Sequence, residues 1–423
     1  MSRKTAILKL IVIAVFIAVI VTAPLVAQSA PAGTQLTWTA RQYSDFYRGI
    51  YASGAGMDTI RAVAYGGNQF LAGGLVGYLF VSPDGVDWTV LDMSTIYMGT
   101  TNFNTNTYQS TNDSVMSIRY LEGRFFVGGR LTSVRVETNP WEMNSIHVGR
   151  LIYSTNGRTH WMPARSLSSR TQEYFYVNDS WFGVNRNFDF GHYVKDIAYG
   201  DGYYVLAGRD LYYSSNGIEW SSYADWYGDN YNGVAFGGGR FVIVKPNGVI
   251  ANARPTGDRL VIENENHIIF GDSPPSAVAY GGGRFVVVGN DGKIAYSTDG
   301  VHWAVAANNV FGANHIHTVA YGAGLFVAGG DNGMIAYSAD GRTWVRSADS
   351  GFGTNRILSI TYGYGRFVAV GQSSFIAYSN QLETPVITPQ PEPSQPGRTT
   401  TTSPRPDRSE GRPEIPETPA GRR

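Results

Sequence analysis

The chain contains no cysteine. Disulfides therefore cannot staple it, and thiolate catalysis and Cys-ligated zinc or iron–sulfur centres are excluded. A large domain can do without disulfides when its core is big enough. An excess of either charge is also missing, because 33 Lys and Arg balance 33 Asp and Glu. The basic surplus of a nucleic-acid footprint is thus absent, and no nucleic-acid partner is expected. Gly-x-Ser-x-Gly elbows, His-Glu-x-x-His pairs and phosphate-cradling loops do not occur. What fills the chain instead is glycine and aromatic residues: 51 Gly, 27 Tyr and 20 Phe in 423 residues. That bias suits many short strands joined by tight turns, and neither a helical bundle nor a coiled coil.

The two ends differ from the body. Arg3, Lys4 and Lys9 precede an apolar run from Leu10 to Val21, followed by Pro24 and the small residues around Ala27 and Ala30. Residues 1–30 read as a signal peptide, the alternative being an uncleaved anchor that would be the only membrane contact. The expected location is secreted, periplasmic or cell-envelope associated. Residues 381–423 hold 10 of the 19 prolines, with six basic and six acidic residues intermingled. Such a stretch buries too little apolar surface to offset its ordering entropy, so it reads as a Pro-rich disordered tail.

Between the ends, the sequence repeats. Val278 to Trp303 returns at Val319 to Trp344 with almost the same spelling. Anchors of the form Val/Ile-x-Tyr/Phe fall at Tyr65, Tyr120, Tyr199, Phe236, Tyr280, Tyr321 and Tyr362, with gaps of 55, 79, 37, 44, 41 and 41. Each copy contains a strand ending at the anchor, a Gly-rich turn, an apolar strand such as Phe285 to Val288, a turn such as Asn290-Asp291-Gly292, a third strand, and a Ser-x-Asp/Asn-Gly turn leading to Trp. Four antiparallel strands every 40 or so residues make one propeller blade. The fold expected for residues 35–380 is all-β, a seven-bladed β-propeller. The 79-residue gap, nearly two periods, is where an eighth blade would hide. The last copy stops at Ser379 without its Trp, and an orphan strand around Trp38 precedes the first copy. Trp38 is therefore expected to complete the last blade and close the ring, which leaves fewer exposed edges.

The Ser-x-Asp-Gly-x-x-Trp pieces resemble the Asp-box (BNR) repeats of the sialidase-like and WD40/YVTN-type β-propeller superfamily. They run through Asp84 and Trp88, Asn216 and Trp220, Asp299 and Trp303, and Asp340 and Trp344. A version one residue longer holds Asn156 and Trp161, and the Phe236 copy has none. Six steps separate Ser82 from Trp88, one fewer than the family's usual seven. Photosystem II assembly factors of the Asp-box type share this blade grammar, while nothing in these residues points to photosynthesis. The resemblance implies a structural role for the box hairpins. A sialidase-like glycoside hydrolase is the enzymatic alternative it raises. That reading would require an Arg-Ile-Pro segment near the first blades, an arginine triad and a Tyr–Glu pair, and no Arg-Ile-Pro segment is present.

Recurrent arginines (Arg124, Arg240, Arg284 and Arg366) share one turn position, which reads as scaffold. Glu263 and Glu265 leave a two-carboxylate glycosidase open, although solvated strand acids are commoner. His315-Ile316-His317 sets two imidazoles on one strand face, one ligand short of a metal site. No metal, cofactor or catalytic residue is assigned, and the question of an enzyme stays open with the balance against it. The irregular blades carry the binding expectation. Inserts at 92–112, 130–148 and 167–192 bring Tyr97, Phe103, Tyr108, Trp141, Tyr174, Tyr176, Trp181 and Phe188. Aromatics mixed with polar residues on loops suit a protein or glycan partner outside the cytoplasm. The competing expectation is that they only pack the loops onto the ring. The function expected is an exported non-catalytic platform that binds or scaffolds an envelope protein or glycan.

Overall fold

The computed structural model describes residues 35–43, 59–74, 78–91, 114–139, 142–167, 172–177, 180–185, 190, 193–223, 230–257, 259–266 and 269–382. For 130–139, 142–148, 172–177, 180–185 and Asn266, the backbone alone is described. Seven antiparallel sheets stand in a ring. Their innermost strands are, in order, Ile60–Gly66, Ser114–Leu121, Val194–Gly200, Gly233–Gly237, Pro275–Gly281, Ile316–Gly322 and Ile357–Gly363. Each lies beside the next, and the seventh lies beside the first.

Closure occurs where the sequence places it. Trp38–Gln42 is the outermost strand of the seventh blade, antiparallel to Phe375–Ser379, with Trp38 opposite Ser379 and Gln42 opposite Phe375. Asn380 donates its backbone N–H to Thr37 O at 2.9 Å, and its side-chain oxygen accepts from Thr37 N at 3.0 Å. One blade is therefore built from segments more than 300 residues apart, and the ring cannot open without breaking that sheet. The 79-residue gap holds no eighth blade among the described residues. It holds a lone two-stranded hairpin, Gln172–Val177 with Ser180–Asn185, that pairs with no blade.

The second strand of each blade is an uninterrupted apolar run because neighbouring blades cover both of its faces. Phe285, Val286, Val287 and Val288 are fully buried, as are Phe326, Val327 and Ala328. Each such Phe contributes about 2 kcal/mol by leaving water. The following turn needs two left-handed residues in succession, which Asp291 (φ 57°) and Gly292 (φ 64°) supply.

The glycine after each anchor has a different cause. The anchor aromatic of one blade lies flat on the glycine of the blade before it. A Cβ on Gly281 would stand 2.0 Å from Tyr321 Cγ, and one on Gly66 would stand 1.9 Å from Tyr120 Cγ. Six of the seven joints are made this way; at the joint between blades 2 and 3 the glycine's place is taken by Leu121, which packs in the same cluster as Tyr199.

Candidate functional site

The box turns are built from their own side chains. Asp84 Oδ1 accepts from Val86 N at 2.9 Å and Asp87 N at 3.2 Å, Ser82 Oγ accepts from Gly85 N at 2.8 Å, and Trp88 donates Nε1–H to Gly85 O at 3.2 Å. The same set of bonds recurs around Asn216 and Trp220, and around Asp299 and Trp303. Asp340 and Trp344 repeat the carboxylate and indole bonds. Asn156 makes these bonds too, but the longer turn passes through His160 at φ 55°, and Trp161 Nε1 finds no acceptor among the described residues. Burial pulls the carboxyl of Asp84, Asp299 and Asp340 upward in pKa. The amides and serine hydroxyl of each turn, with His302 added at Asp299, outweigh it, so all three lie below the ordinary value.

Two of the recurrent turn arginines each clasp a box to the blade before it, while Arg240 turns to Asn252 Oδ1 at 3.5 Å within its own blade. Arg124 of blade 2 donates to Asn216 O in blade 3 at 2.8 Å, and Arg284 of blade 5 donates to Asp340 O in blade 6 at 2.5 Å. Gln69 plays the part in blade 1, donating to Asn156 O at 2.5 Å. These side chains are occupied in holding the ring. Glu263 and Glu265 pair with different cations, Glu263 with Arg254 at 3.4 Å and Glu265 with Lys245 at 2.9 Å.

Strand direction then sorts the loops. Within a blade the strands alternate, so the Gly-rich turns and the boxes leave from one face of the ring. The turns between second and third strands, and the crossings to the next blade, leave from the other. The inserts at 92–112 and 167–192 are crossings, following Leu91 and Ser166 and leading to the strands that begin at Ser114 and Val194. The insert at 130–148 extends the second and third strands of blade 2, Arg124–Asn139 and Glu142–Ser154. All three therefore depart from the same face, and all belong to blades 1–3.

That face also carries the mouth of the central channel, a cavity of 330 Å³ lined by the starts of all seven inner strands. In six blades a register shift near the start of the inner strand gives one extra residue, and Arg61, Met116, Lys195, Ser276, His317 and Leu358 are those residues. Bulges of this kind re-aim a side chain, here into the mouth. The next position, facing the neighbouring blade, is small and neutral at Ala62, Ser117, Ala277, Thr318 and Ser359. Ser359 Oγ accepts from Val63 N at 3.3 Å and Thr318 Oγ1 from Ile360 N at 3.2 Å, each tying one blade to the next.

Blade 3 breaks this rule with Asp196, which is 4% exposed. Its carboxylate accepts from Ile197 N at 2.8 Å, from Val234 N of blade 4 at 3.1 Å, and from Arg119 Nη2 at 2.7 Å. Arg119 itself breaks the pattern, because the residue before the anchor is alanine in five other blades and threonine in the seventh. Burial raises the Asp196 pKa against the pull of Arg119 and the two amides. Lys195 donates to Asn232 Oδ1 at 2.5 Å, and burial lowers its pKa. Across the mouth, His317 shares a hydrogen bond with Asp331 at 2.8 Å, and Arg356 pairs with the same carboxylate at 3.0 Å. Burial lowers the His317 pKa, with Asp331 opposing it.

Of these mouth residues only His317 is noted from sequence, as half of an imidazole pair one ligand short of a metal site. The signal was available in the repeat: Arg119 and Asp196 stand where other copies carry small residues. Of the loop aromatics singled out instead, Tyr97, Phe103, Tyr108, Trp141 and Phe188 lie outside the described residues. Tyr174, Tyr176 and Trp181 fall on the lone hairpin, where Tyr176 opposes Trp181 and Tyr174 opposes Gly183. The register thus places these three residues on one face of it. Phe190, from the same insert, belongs to the core: it is fully buried, with its ring 5.2 Å from Tyr212 and 6.1 Å from Trp220.

No family model matches the chain, and no curated protein matches it. Among solved structures it resembles "YCF48 bound to D1 peptide", with a TM-score of 0.52 at 14% identity over 86% of this chain and 99% of that one. Lesser likenesses are YCF48 from Cyanidioschyzon merolae, with a TM-score of 0.49 at 12% identity over 81% and 98% of the two chains, and the WD40 β-propeller domain of Doa1, with 0.48 at 12% over 78% and 95%. At such identities the first likeness speaks for the fold, a β-propeller.

Proposed function

We propose that this chain is an exported, non-catalytic propeller that serves as a binding platform for an envelope protein or glycan. Recognition is placed on the face of blades 1–3 that carries the channel mouth. One observation carries the reading: the three inserts and the polar departures Arg61, Arg119, Lys195 and Asp196 converge on one face and on the same three blades. Binding concentrates on loops held by a rigid scaffold, and the regular blades 5–7 provide that scaffold. A bound peptide on the similar YCF48 propeller favours a protein partner over a glycan. Export rests on the N-terminal pattern of residues 1–30.

A hydrolase of sialidase-like architecture would want a second carboxylate beside the first. Asp196 is the one carboxylate among the described residues lining the mouth, and it is already bonded to Arg119 and two amides. The platform reading is tested by capture from envelope extract and by a glycan array, each repeated with residues 168–189 replaced by a short Gly-Ser linker. Loss of a captured partner with an unchanged melting curve supports it. Undiminished capture by the folded variant removes the inserts from the site.

A further inference from the structure

The geometry points to a carboxylate-binding subsite in the channel mouth, formed by Arg119, Lys195 and the Ser117 hydroxyl, with Asp196 as the residue that positions Arg119. It goes beyond the platform reading and does not depend on which partner covers the inserts.

Three observations converge. The first is charge: among the described residues lining the 330 Å³ cavity, Arg119 and Lys195 come from consecutive blades and outnumber Asp196, the single carboxylate. The surplus is positive and sits on one side of the ring. Opposite stand Ser276, Thr318 and Ser359, neutral, and His317, already bonded to Asp331.

The second is the cost of the arrangement. A buried ion pair is seldom the most stable way to fill a space, because desolvating both charges offsets their attraction. Five other blades fill the Arg119 position with alanine. Stability alone would repeat that choice. Asp196 is itself fixed by the Ile197 and Val234 amides, so Arg119 is held at 2.7 Å by an immobile partner while 40% of its side chain stays exposed. Arg119 Nη1 also donates to Ile118 O at 3.2 Å, and a guanidinium presents five N–H donors, more than these two bonds consume. The remaining N–H groups are therefore pre-positioned for a second anion at little cost in side-chain entropy.

The third is an orphan. Ser117 lines the same mouth and is 3% exposed, and its Oγ has no hydrogen-bond partner among the described residues. A buried hydroxyl of this kind is costly unless something occupies it. Its counterparts Thr318 and Ser359 both accept from the next blade's backbone. At Ser117 no such bond is made, and the hydroxyl lies in the cavity wall with no partner among the described residues. Burial lowers the Lys195 pKa, and an anion beside it would restore the charged form.

The space suits a side chain or a chain end, not a folded surface, being at the lower limit of small-ligand pockets. A carboxylate reaches it either as an Asp or Glu side chain or as a peptide C-terminus. Three acetylated tetrapeptides distinguish the sources by isothermal titration against the full chain. One carries a single aspartate and an amidated end, one has alanine in its place and a free C-terminus, and one has asparagine and an amidated end. Binding of the first or the second, about tenfold or more tighter than the third, supports the subsite and identifies its source. Equal binding of all three, or binding of none, overturns it. Lys195→Met is expected to weaken the preferred peptide about tenfold, and Lys195→Arg to retain it. The melting temperatures of both variants show whether they are folded. Unchanged affinity in folded Lys195→Met also overturns the assignment.

Discussion

Blades 5 and 6 are near copies of one another, whereas blades 2 and 3 share their frame but not their spelling. In the first pair the same positions hold Ala279 and Ala320, Ala277 and Thr318, Asp299 and Asp340. In the second, the frame is kept by Tyr120 and Tyr199 and by the boxes of Asn156 and Asn216, yet Arg119 and Asp196 replace small residues at the channel. The strands of blade 2 run on to 16 and 13 residues, and an extra strand, Arg165–Ser166, lies parallel to the outer edge of blade 3. What recurs is what every joint needs. What does not recur is free to serve chemistry, and here it gathers on one face.

The largest expected effect breaks the ring itself. Removing residues 1–43 takes away Trp38–Gln42 and exposes the edge of Phe375–Ser379. Cooperative urea unfolding is expected to be lost or to split into two transitions, while removal of residues 1–30 alone leaves one transition. Next comes the joint. Gly281→Ala forces a methyl onto Tyr321 and is expected to cost about 3 kcal/mol or more, near the upper end for overpacking. Leu121→Ala, at the one joint without glycine, leaves a gap instead and costs about 2 kcal/mol. A chemical denaturation series that finds Gly281→Ala neutral would remove the stacking explanation of the glycines.

The channel supplies the next contrast. Asp196→Ala leaves two amides and Arg119 without their acceptor and is expected to cost about 2 kcal/mol, whereas Ser359→Ala, at the same repeat position, costs about 1 kcal/mol or less. Equal losses would mean that the ion pair adds nothing to the repeat's ordinary bond.

Acid sensitivity is the smallest effect and separates the boxes by blade. Asp84, Asp299 and Asp340 have pKa values below the ordinary one in the fold, burial being outweighed by their turn bonds. Their contribution is complete above the unfolded value of about 4 and is lost as the pH falls through the folded one. Asn156 and Asn216 do not titrate. Replacing the three aspartates by asparagine is expected to flatten the stability profile below about pH 4, and Asn216→Asp to steepen it. An unchanged acid profile in the triple variant would show that these turns are not where acid acts.

The repeat made the architecture legible before any coordinates. Seven anchors marked seven blades, and the missing Trp after Ser379 pointed to Trp38. The recurrent arginines read as scaffold for a sound reason, since a residue that returns in four copies cannot mark a unique site. The channel mouth escaped the same reading because attention to long inserts and recurring residues passes over single departures within a copy. Neither does a linear pattern reveal that Arg119 and Asp196, 77 positions apart, share a bond. That requires the ring, which sets the inner strands of blades 2 and 3 side by side. The inserts were visible as excess length, but their common face followed only from strand direction.

The central claim, that recognition belongs to the mouth face of blades 1–3, is tested most directly by photo-crosslinking within one blade-to-blade region. A photoreactive residue at Trp181, on the hairpin between blades 2 and 3, is compared with one at Glu219, in the box turn on the opposite face. Under envelope extract, the partner is predicted to attach at position 181 and to be absent from position 219. Attachment at 219 with none at 181 would place recognition on the box face and contradict the account.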